Sequence, residues 1–332
     1  MIPSLVKYGL RATKHATDAN PSALASMLLK EHATNGPLVR SQYLDVNQLQ
    51  RLSATLASHS GSDPSSAFAV ESSPDSLPIP PCHHLVYFTP PDAEDKLGLD
   101  GSDTIFNPPG SFTRRMWAGG ELEWVDGNEL VTGEKAEETT TLKSAEVKKT
   151  KAGDEMIVVG VEKTFRNSKG LALVDRRNWL FRQAIDLNNP PPLPPLPSFA
   201  SAPSAQYEHA ITHTPVSLFR FSALTFNAHK IHYDRDWCRK VEGHRDCVVH
   251  GPLNLIHMVD FWRHVIGKSE RGTVNDKLTV LLPKKVTYRA TSPFYVGEEY
   301  RVLMEEEKEK VCNMKIVDRF GTVGMVGKIE RR

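Results

Sequence analysis

"HGPLNLIHMVDFWRHVIG", residues 250–267, decides the fold of this 332-residue chain. Gly251-Pro252 reads as a helix start, because proline at the first helical position loses no donor that the helix needs. Leu255, Val259, Trp262 and Ile266 recur at helical spacing and form one apolar face. Every later run carries strand signals instead. "VTYRATSPFYVGEEYRVLMEE" (286–306), "VCNMKIVDRF" (311–320) and "TVGMVGKIER" (322–331) alternate in polarity and are punctuated by "EKEK" and "RFG". One helix followed by an antiparallel meander is an α+β unit, in which the sheet buries one face against the helix.

The pattern occurs twice. Upstream, the helix candidate "VNQLQRLSATLASH" (46–59) precedes "RRMWAGGELEWV" (114–125), "EKAEETTTLKSAEVKKT" (134–150), "EMIVVGVEKTFRN" (155–167) and "LALVDRRNWLFRQ" (171–183). Both halves place Gly-Glu after an apolar step, in "LVTGEKAEE" (130–138) and "FYVGEEYRV" (294–302). The simplest arrangement has each helix wrapped by its own curved sheet, the two sheets meeting edge to edge. Residues 188–205, "NNPPPLPPLPSFASAPSA", are too proline-dense for a helix or inner strand and read as an extended linker. Residues 60–81, rich in Ser and Pro, read as a surface loop or insertion. The halves are therefore 20–187 and 206–332. Residues 1–19 are basic and free of acid before Asp18, as a mitochondrial presequence would be; a frayed basic terminus is the other reading.

Composition narrows the function. Lys and Arg number 41 against 40 Asp and Glu, so no global field argues for nucleic acid. No apolar run reaches the length of a bilayer span. The four cysteines, Cys82, Cys238, Cys247 and Cys312, form no C-x-x-C pair and suit a reducing compartment, with no support for zinc.

Chemistry-bearing residues gather in "FRFSALTFNAHKIHYDRDW" (219–237). As a strand, this segment puts Asn227, His229 and Ile231 on one face and His232 off it; as a helix, His229 is nearest His232 at i+3. In either case Asn227 and His232 meet only if the backbone bends between them. Asp234 and Asp236 give no metal-ligand spacing with the two histidines. The second element is "CVVHGPLNL" (247–255), whose helix N-terminus at His250-Gly251 would present unpaired backbone N–H groups to a developing oxyanion. The alternative is a tight turn that merely caps a core helix.

"LFRFSALTFNAHKIHYDRDW" (218–237) followed by "VVHGPL" (248–253) resembles the second half of the MaoC-like (R)-specific hydratases and dehydratases. Within that group it is most similar to the mitochondrial type 2 hydroxyacyl-thioester dehydratases and the bacterial mesaconyl-C4-CoA hydratases. "LVYFTP" (85–90), "LGLDGSDTIFNPPGSFTRRMWAGGELEW" (97–124) and "RRNWLFRQ" (176–183) resemble the FAS1-like N-terminal dehydratase domain of the same group. The resemblance runs from about residue 40 onward and implies a double hot dog fold. It also implies one active site per chain, in the second half, with a non-catalytic first half that shapes the acyl pocket.

The MaoC-like pattern has an Asp five residues before its catalytic His. Asn227 stands at that position, His229 and Lys230 replace the pattern's Asn-Pro, and His232 takes the place of the catalytic His. Gly251 matches the glycine whose N–H binds the thioester carbonyl. The implied reaction is reversible dehydration of 3-hydroxyacyl thioesters to trans-2-enoyl thioesters, carried by CoA or acyl carrier protein, with no cofactor and no metal. His232, with an ordinary pKa of about 6.5, exchanges the C2 proton. Asn227, which cannot titrate, holds the hydroxyl. His229, Tyr233 and His250 are expected around the substrate, with Arg115 and Trp117 from the first half. Arg114, Arg115, Arg220 and Lys230 are candidates for a phosphopantetheine or CoA phosphate. A homodimer, a mitochondrial or otherwise cytoplasmic location, and no nucleic-acid or membrane partner complete the expectation. The alternatives are a hydratase of short branched dicarboxylic CoA esters, which needs a further cation in the acyl pocket, a hot dog thioesterase, and a silent acyl-thioester-binding protein.

Overall fold

The computed structural model describes residues 20–57, 77–150, 153–201, 203–270 and 281–332. The presequence candidate (1–19) and most of the Ser/Pro-rich stretch (58–76) lie outside the described residues. The strands of the first half are β1 (Leu38–Tyr43), β2 (Arg114–Trp124), β3 (Lys135–Lys149), β4 (Glu155–Asn167) and β5 (Gly170–Arg182). Those of the second are β6 (Tyr207–Ile211), β7 (Lys285–Ala290), β8 (Tyr300–Met304), β9 (Val311–Asp318) and β10 (Val323–Glu330). All pair antiparallel in one sheet ordered β1-β3-β4-β5-β2-β7-β10-β9-β8-β6.

Counted inward from either end, both halves place their own first, third, fourth, fifth and second strands in that order. The seam is the β2–β7 pair, from Gly119 opposite Arg289 to Glu123 opposite Lys285. The repeat extends to single hydrogen bonds. Gly133 and Gly297, at φ of 81° and 76°, open the turns before β3 and β8 in a region that glycine enters without strain. Gly133 N–H donates to Leu44 O at 3.0 Å and Gly297 N–H to His213 O at 2.8 Å, each carbonyl lying just beyond the first strand of its half. Two five-stranded antiparallel halves of one topology, joined edge to edge around helices, are the double hot dog.

The helices are α1 (Pro21–Asn35), α2 (Val46–Leu56), α3 (Pro215–Leu224), the single turn α4 (Arg235–Trp237) and α5 (Gly251–Glu270). Leu255, Val259, Trp262 and Ile266 of α5 are buried, but so is every residue from Leu253 to Met258. The helix is enclosed around its first turns, more completely than one apolar stripe requires. In the first half, Leu49, Leu52 and Leu56 of α2 share a core with Ala136, Phe165 and Leu173 of the strands and with Leu218 and Phe221 of α3. Helix α1 has no clear periodicity in sequence. Asn20 caps it by accepting from Ala23 N–H at 2.8 Å, and Leu24, Ala25 and Leu28 cover Ile157, Val159 and Phe181.

The run 286–306 divides into β7 and β8, with Ser292-Pro293 in the break. One expectation needs correction: the described end of the Ser/Pro-rich stretch is not surface loop. Leu77 and Ile79 are buried, and Ile79 N–H donates to Leu130 O at 2.8 Å. The proline-rich residues are exposed and irregular, yet Phe199 packs on Phe320 with ring centroids 5.1 Å apart.

Helix α5 is tied to the first half through Asp260. His83 Nε2 lies 3.0 Å from Asp260 Oδ2, and Arg263 donates to Oδ1 at 2.9 Å. Burial alone would raise the Asp260 pKa; His83 and Arg263 outweigh it and hold the carboxyl at about 2, against 3.8 ordinarily. A depressed folded-state pKa stabilises the protein above pH 4 or so, and that stability is lost as pH falls toward 2. Asp260→Asn is expected to cost about 3 kcal/mol at neutral pH, because it removes the carboxylate shared by the buried His83 ring and the half-buried Arg263 guanidinium. Urea unfolding at several pH values checks this, and an unchanged midpoint at pH 7 would refute it.

Candidate active site

The segment 219–237 is neither strand nor continuous helix. Thr214 caps α3, its hydroxyl accepting from Ser217 N–H at 3.2 Å. The helix buries Leu218, Phe221 and Ser222 and ends at Thr225. Phe226 then takes a left-handed φ of 48°, which reverses the chain. Asn227 N–H donates back to Ser222 O at 2.8 Å, and its Oδ1 accepts from His229 N–H at 3.1 Å, closing an Asx turn. A 3₁₀ turn over Lys230–His232 follows. This is the bend that brings Asn227 and His232 to one place.

His232 is buried, and its Nδ1 lies 2.8 Å from Val248 O. A carbonyl only accepts, so Nδ1 carries the proton and the Nε2 lone pair is the basic one. His250 stacks on the ring, centroids 3.6 Å apart and planes 17° from parallel, and its Nε2 meets Ser222 Oγ at 2.9 Å. Burial pushes His232 down to about 3, helped by charge on His229. His250 is pushed well below its ordinary value, first by burial and then by the neighbouring histidines. Both rings are neutral at pH 7, so the stack carries no like-charge repulsion.

Gly251 opens α5, and Pro252 brings no N–H of its own. From β2, across the seam, Trp117 lies on the glycine. A Cβ at Gly251 would be driven into the indole ring, while that ring also contacts Tyr288 at 4.9 Å between centroids. Trp117, Asn227, His229, His232, His250 and Gly251 all line one cavity of about 420 Å³ between the halves. Arg115 lines it too, donating to Asp103 at 2.5 Å with its guanidinium 5.3 Å over Trp179.

A family model, hydroxyacyl-thioester dehydratase type 2, matches residues 82–296, which carry this geometry. The chain belongs to that family. The mesaconyl-C(4)-CoA hydratase of Chloroflexus aurantiacus is 30% identical over 240 residues, covering 70% of this chain and 77% of that one. The mitochondrial hydroxyacyl-thioester dehydratase type 2 of Schizosaccharomyces pombe is 25% identical over 291 residues, 81% of this chain and 90% of the other. Among solved structures, a MaoC-like dehydratase from Phytophthora capsici superposes with a TM-score of 0.60 at 14% identity, covering 89% of this chain and 95% of that one. The peroxisomal multifunctional enzyme type 2 of Drosophila melanogaster gives 0.55 at 14% identity, over 95% of this chain and 53% of that one. At such identity these two structures share the fold.

Not every residue expected at the site of this type 2 dehydratase family member is there. Arg220 lies outside the cavity and lines a separate hollow with Arg51 and Phe219. Tyr233 is 50% exposed, because the chain turns outward after the 3₁₀ turn. Neither lines the cavity, nor do Arg114, paired with Glu242 at 2.9 Å, and Lys230, which donates to Leu99 O at 2.8 Å and covers Trp237. Cys238 and Cys247 are buried, and burial raises both thiols, which keeps them from being thiolates. Among the described residues no cluster could hold a metal ion, and no helix is long and apolar enough to cross a membrane.

Three participants escaped the sequence reading. Ser222 was inside the quoted segment, but only the fold turns it to His250. The Val248 carbonyl has no sequence signature. Asp100, whose Oδ2 lies 3.3 Å from His229 Nε2, comes from the first half, where no local spacing links it to residue 229.

Proposed function

We propose that this chain interconverts 3-hydroxyacyl and trans-2-enoyl thioesters, carried by CoA or acyl carrier protein. One observation supports the reading above all: His232, its tautomer fixed by Val248 O, shares a small cavity with Gly251 at the start of α5. In dehydration, His232 Nε2 takes the C2 proton. The electron pair moves onto the thioester oxygen, which the Gly251 N–H and the helix N-terminus stabilise by about 3 kcal/mol, the usual range for one oxyanion donor. The pair then returns to form the C2–C3 double bond as the C3–O bond breaks and the hydroxyl, taking up a proton, leaves as water. Asn227 orients that hydroxyl, and Trp117 closes the cavity over the reacting carbons. Crotonyl-CoA mixed with the purified protein should lose its enoyl-thioester absorbance. Loss of absorbance accompanied by release of free CoA would favour a thioesterase, and binding without either reaction a silent module.

The yeast relatives are named mitochondrial. We place this chain there as well, with residues 1–19 as its presequence, which the N-terminus of the mature protein would test. The halves 20–187 and 206–332 act as one unit around the shared cavity, the first half supplying walls. Gel filtration tests whether two such chains pair.

A second reading concerns the acyl group. Lys163, Arg177 and Arg40 also line the cavity. Lys163 is 8% exposed and donates to Glu138 at 2.9 Å and to Thr140 at 3.1 Å, leaving one ammonium donor uncommitted to these two. Arg177 directs Nε and one terminal nitrogen to Asp175. A saturated acyl chain would bury these charges without solvating them, whereas a second carboxylate would meet them. The branched dicarboxylic ester is therefore the favoured short substrate. Replacing Lys163 by Met together with Glu138→Gln, which strands no charge, should raise KM for mesaconyl-CoA about 10- to 100-fold. Crotonyl-CoA should be unaffected, and equal effects on both esters would count against the reading.

A further inference from the structure

We propose that His229, paired with Asp100 of the first half, carries the second proton of the reaction, the one exchanged with the oxygen at C3. The proposal rests on the hydratase reading. Elimination of water moves two protons, and one neutral imidazole manages only the first of them at a time. Asn227 cannot supply the other, because an amide does not titrate near neutrality. His229 lines the same cavity as His232, its ring edge-on and 5.6 Å away between centroids.

The pairing with Asp100 is built, not incidental. His229 Nε2 and Asp100 Oδ2 lie 3.3 Å apart, with side chains only 10% and 13% exposed. The other carboxylate oxygen accepts from Ser102 N–H at 3.0 Å and from its hydroxyl at 2.7 Å, which fixes the plane of the acid. The two loops are clamped together around this pair. Lys230 N–H donates to Asp100 O at 2.7 Å and its Nζ to Leu99 O at 2.8 Å. Gly101 sits against the Ala228 carbonyl so closely that a side chain there would displace the backbone. The acid absent from position 227 is thus supplied from the other half of the molecule, one histidine further from the substrate.

The electrostatics divide the labour. Burial would raise the Asp100 pKa, but His229 and Ser102 hold it far below the carboxylate range, so the partner of His229 stays anionic. His229 adds to burial in lowering the His232 pKa, which keeps that ring neutral. A histidine paired with a buried carboxylate, beside a neutral imidazole, gives the cavity an acid and a base in separate environments. In dehydration His232 Nε2 gains the C2 proton, the C2–H electron pair ends as the new double bond, and the C3–O bond breaks. The departing oxygen takes its proton from His229 and leaves as water. The proton on His232 then passes to His229, which restores the starting state with one water removed from the substrate.

Crotonyl-CoA hydration by the full chain tests this. His229→Gln should lower kcat about 100-fold or more, the range for loss of a general acid, with KM changed less than about threefold. Asp100→Asn removes the carboxylate paired with His229, so the alkaline limb of the pH–rate profile should move to lower pH. The other groups within reach of that charge are His232, His244 and His250, with Arg115 acting on Asp100, and none of them changes in this variant. Adding Asn227→Asp to His229→Gln restores a titratable acid beside His232 and should recover part of the lost kcat. Retention of kcat within about threefold in His229→Gln, or an unmoved profile in Asp100→Asn, would overturn the proposal. Melting curves and crotonyl-CoA binding by tryptophan fluorescence distinguish a lost proton from a lost fold. A wild-type protein that hydrates no enoyl thioester would instead sink the hydratase reading.

Discussion

His232→Gln is expected to abolish enoyl-thioester hydration, with kcat down by at least about 1,000-fold and crotonyl-CoA binding retained. The substitution keeps a donor for Val248 O, so the local fold should survive while the basic nitrogen is lost. Activity within about tenfold of the parent would refute the assignment, since proton transfer by a positioned base contributes at least that much. The same variant has a signature in stability. His232 is held at about 3 in the folded protein against 6.5 ordinarily, so the unfolded chain binds the extra proton first. Stability therefore falls as pH drops below about 6.5, and one such group accounts for roughly 3 kcal/mol by pH 4. His232→Gln should remove this penalty. The inactive variant should resist acid better than its parent, and urea midpoints at pH 7 and pH 4 would show it.

The second large effect is expected at Gly251. Gly251→Ala retains the backbone N–H, so any loss comes from geometry. The added methyl meets the Trp117 ring, and either the indole or the first turn of α5 must move. A misplaced oxyanion donor costs about 100-fold in kcat, and overpacking costs roughly 1–3 kcal/mol of stability. Trp117→Ala in the same chain makes room for the methyl. It should return the melting temperature, and part of kcat, toward the parent. No rescue by Trp117→Ala would mean that Gly251 matters for something other than this contact.

How much of this was readable beforehand differs from element to element. Helix α5 and the strands after it were legible, because the 3.6-residue spacing of Leu255, Val259, Trp262 and Ile266 and the alternation after it are local patterns. Edge strands β1 and β6 were missed; at six and five residues each, they carry too little alternation to stand out from loop. Helix α1 was missed because only Leu24, Ala25 and Leu28 reach the core. Within the site, the resemblance singled out Asn227, His229, His232 and Gly251, and all four line one cavity. Arg220 and Tyr233 failed for one reason. Residue type says that a side chain could bind a substrate, but the side of α3 or of the 3₁₀ turn it occupies decides whether it can reach one.

By itself, the sequence determined the period of each element, the twofold helix-and-meander plan with its paired Gly-Glu turns, and the chemical identity of the central loop. Those properties depend on near neighbours, a few residues apart along the chain. Only the tertiary structure decided that β2 and β7 form the seam, that Trp117 thereby lies on Gly251, and that Asp100 reaches His229. It also decided which nitrogen of His232 is basic, through the carbonyl of Val248. These contacts join residues far apart in sequence, and they follow from how two apolar surfaces close over one another. Burial has no period along the chain, and it is burial that neutralises His232 and orders the charges around it.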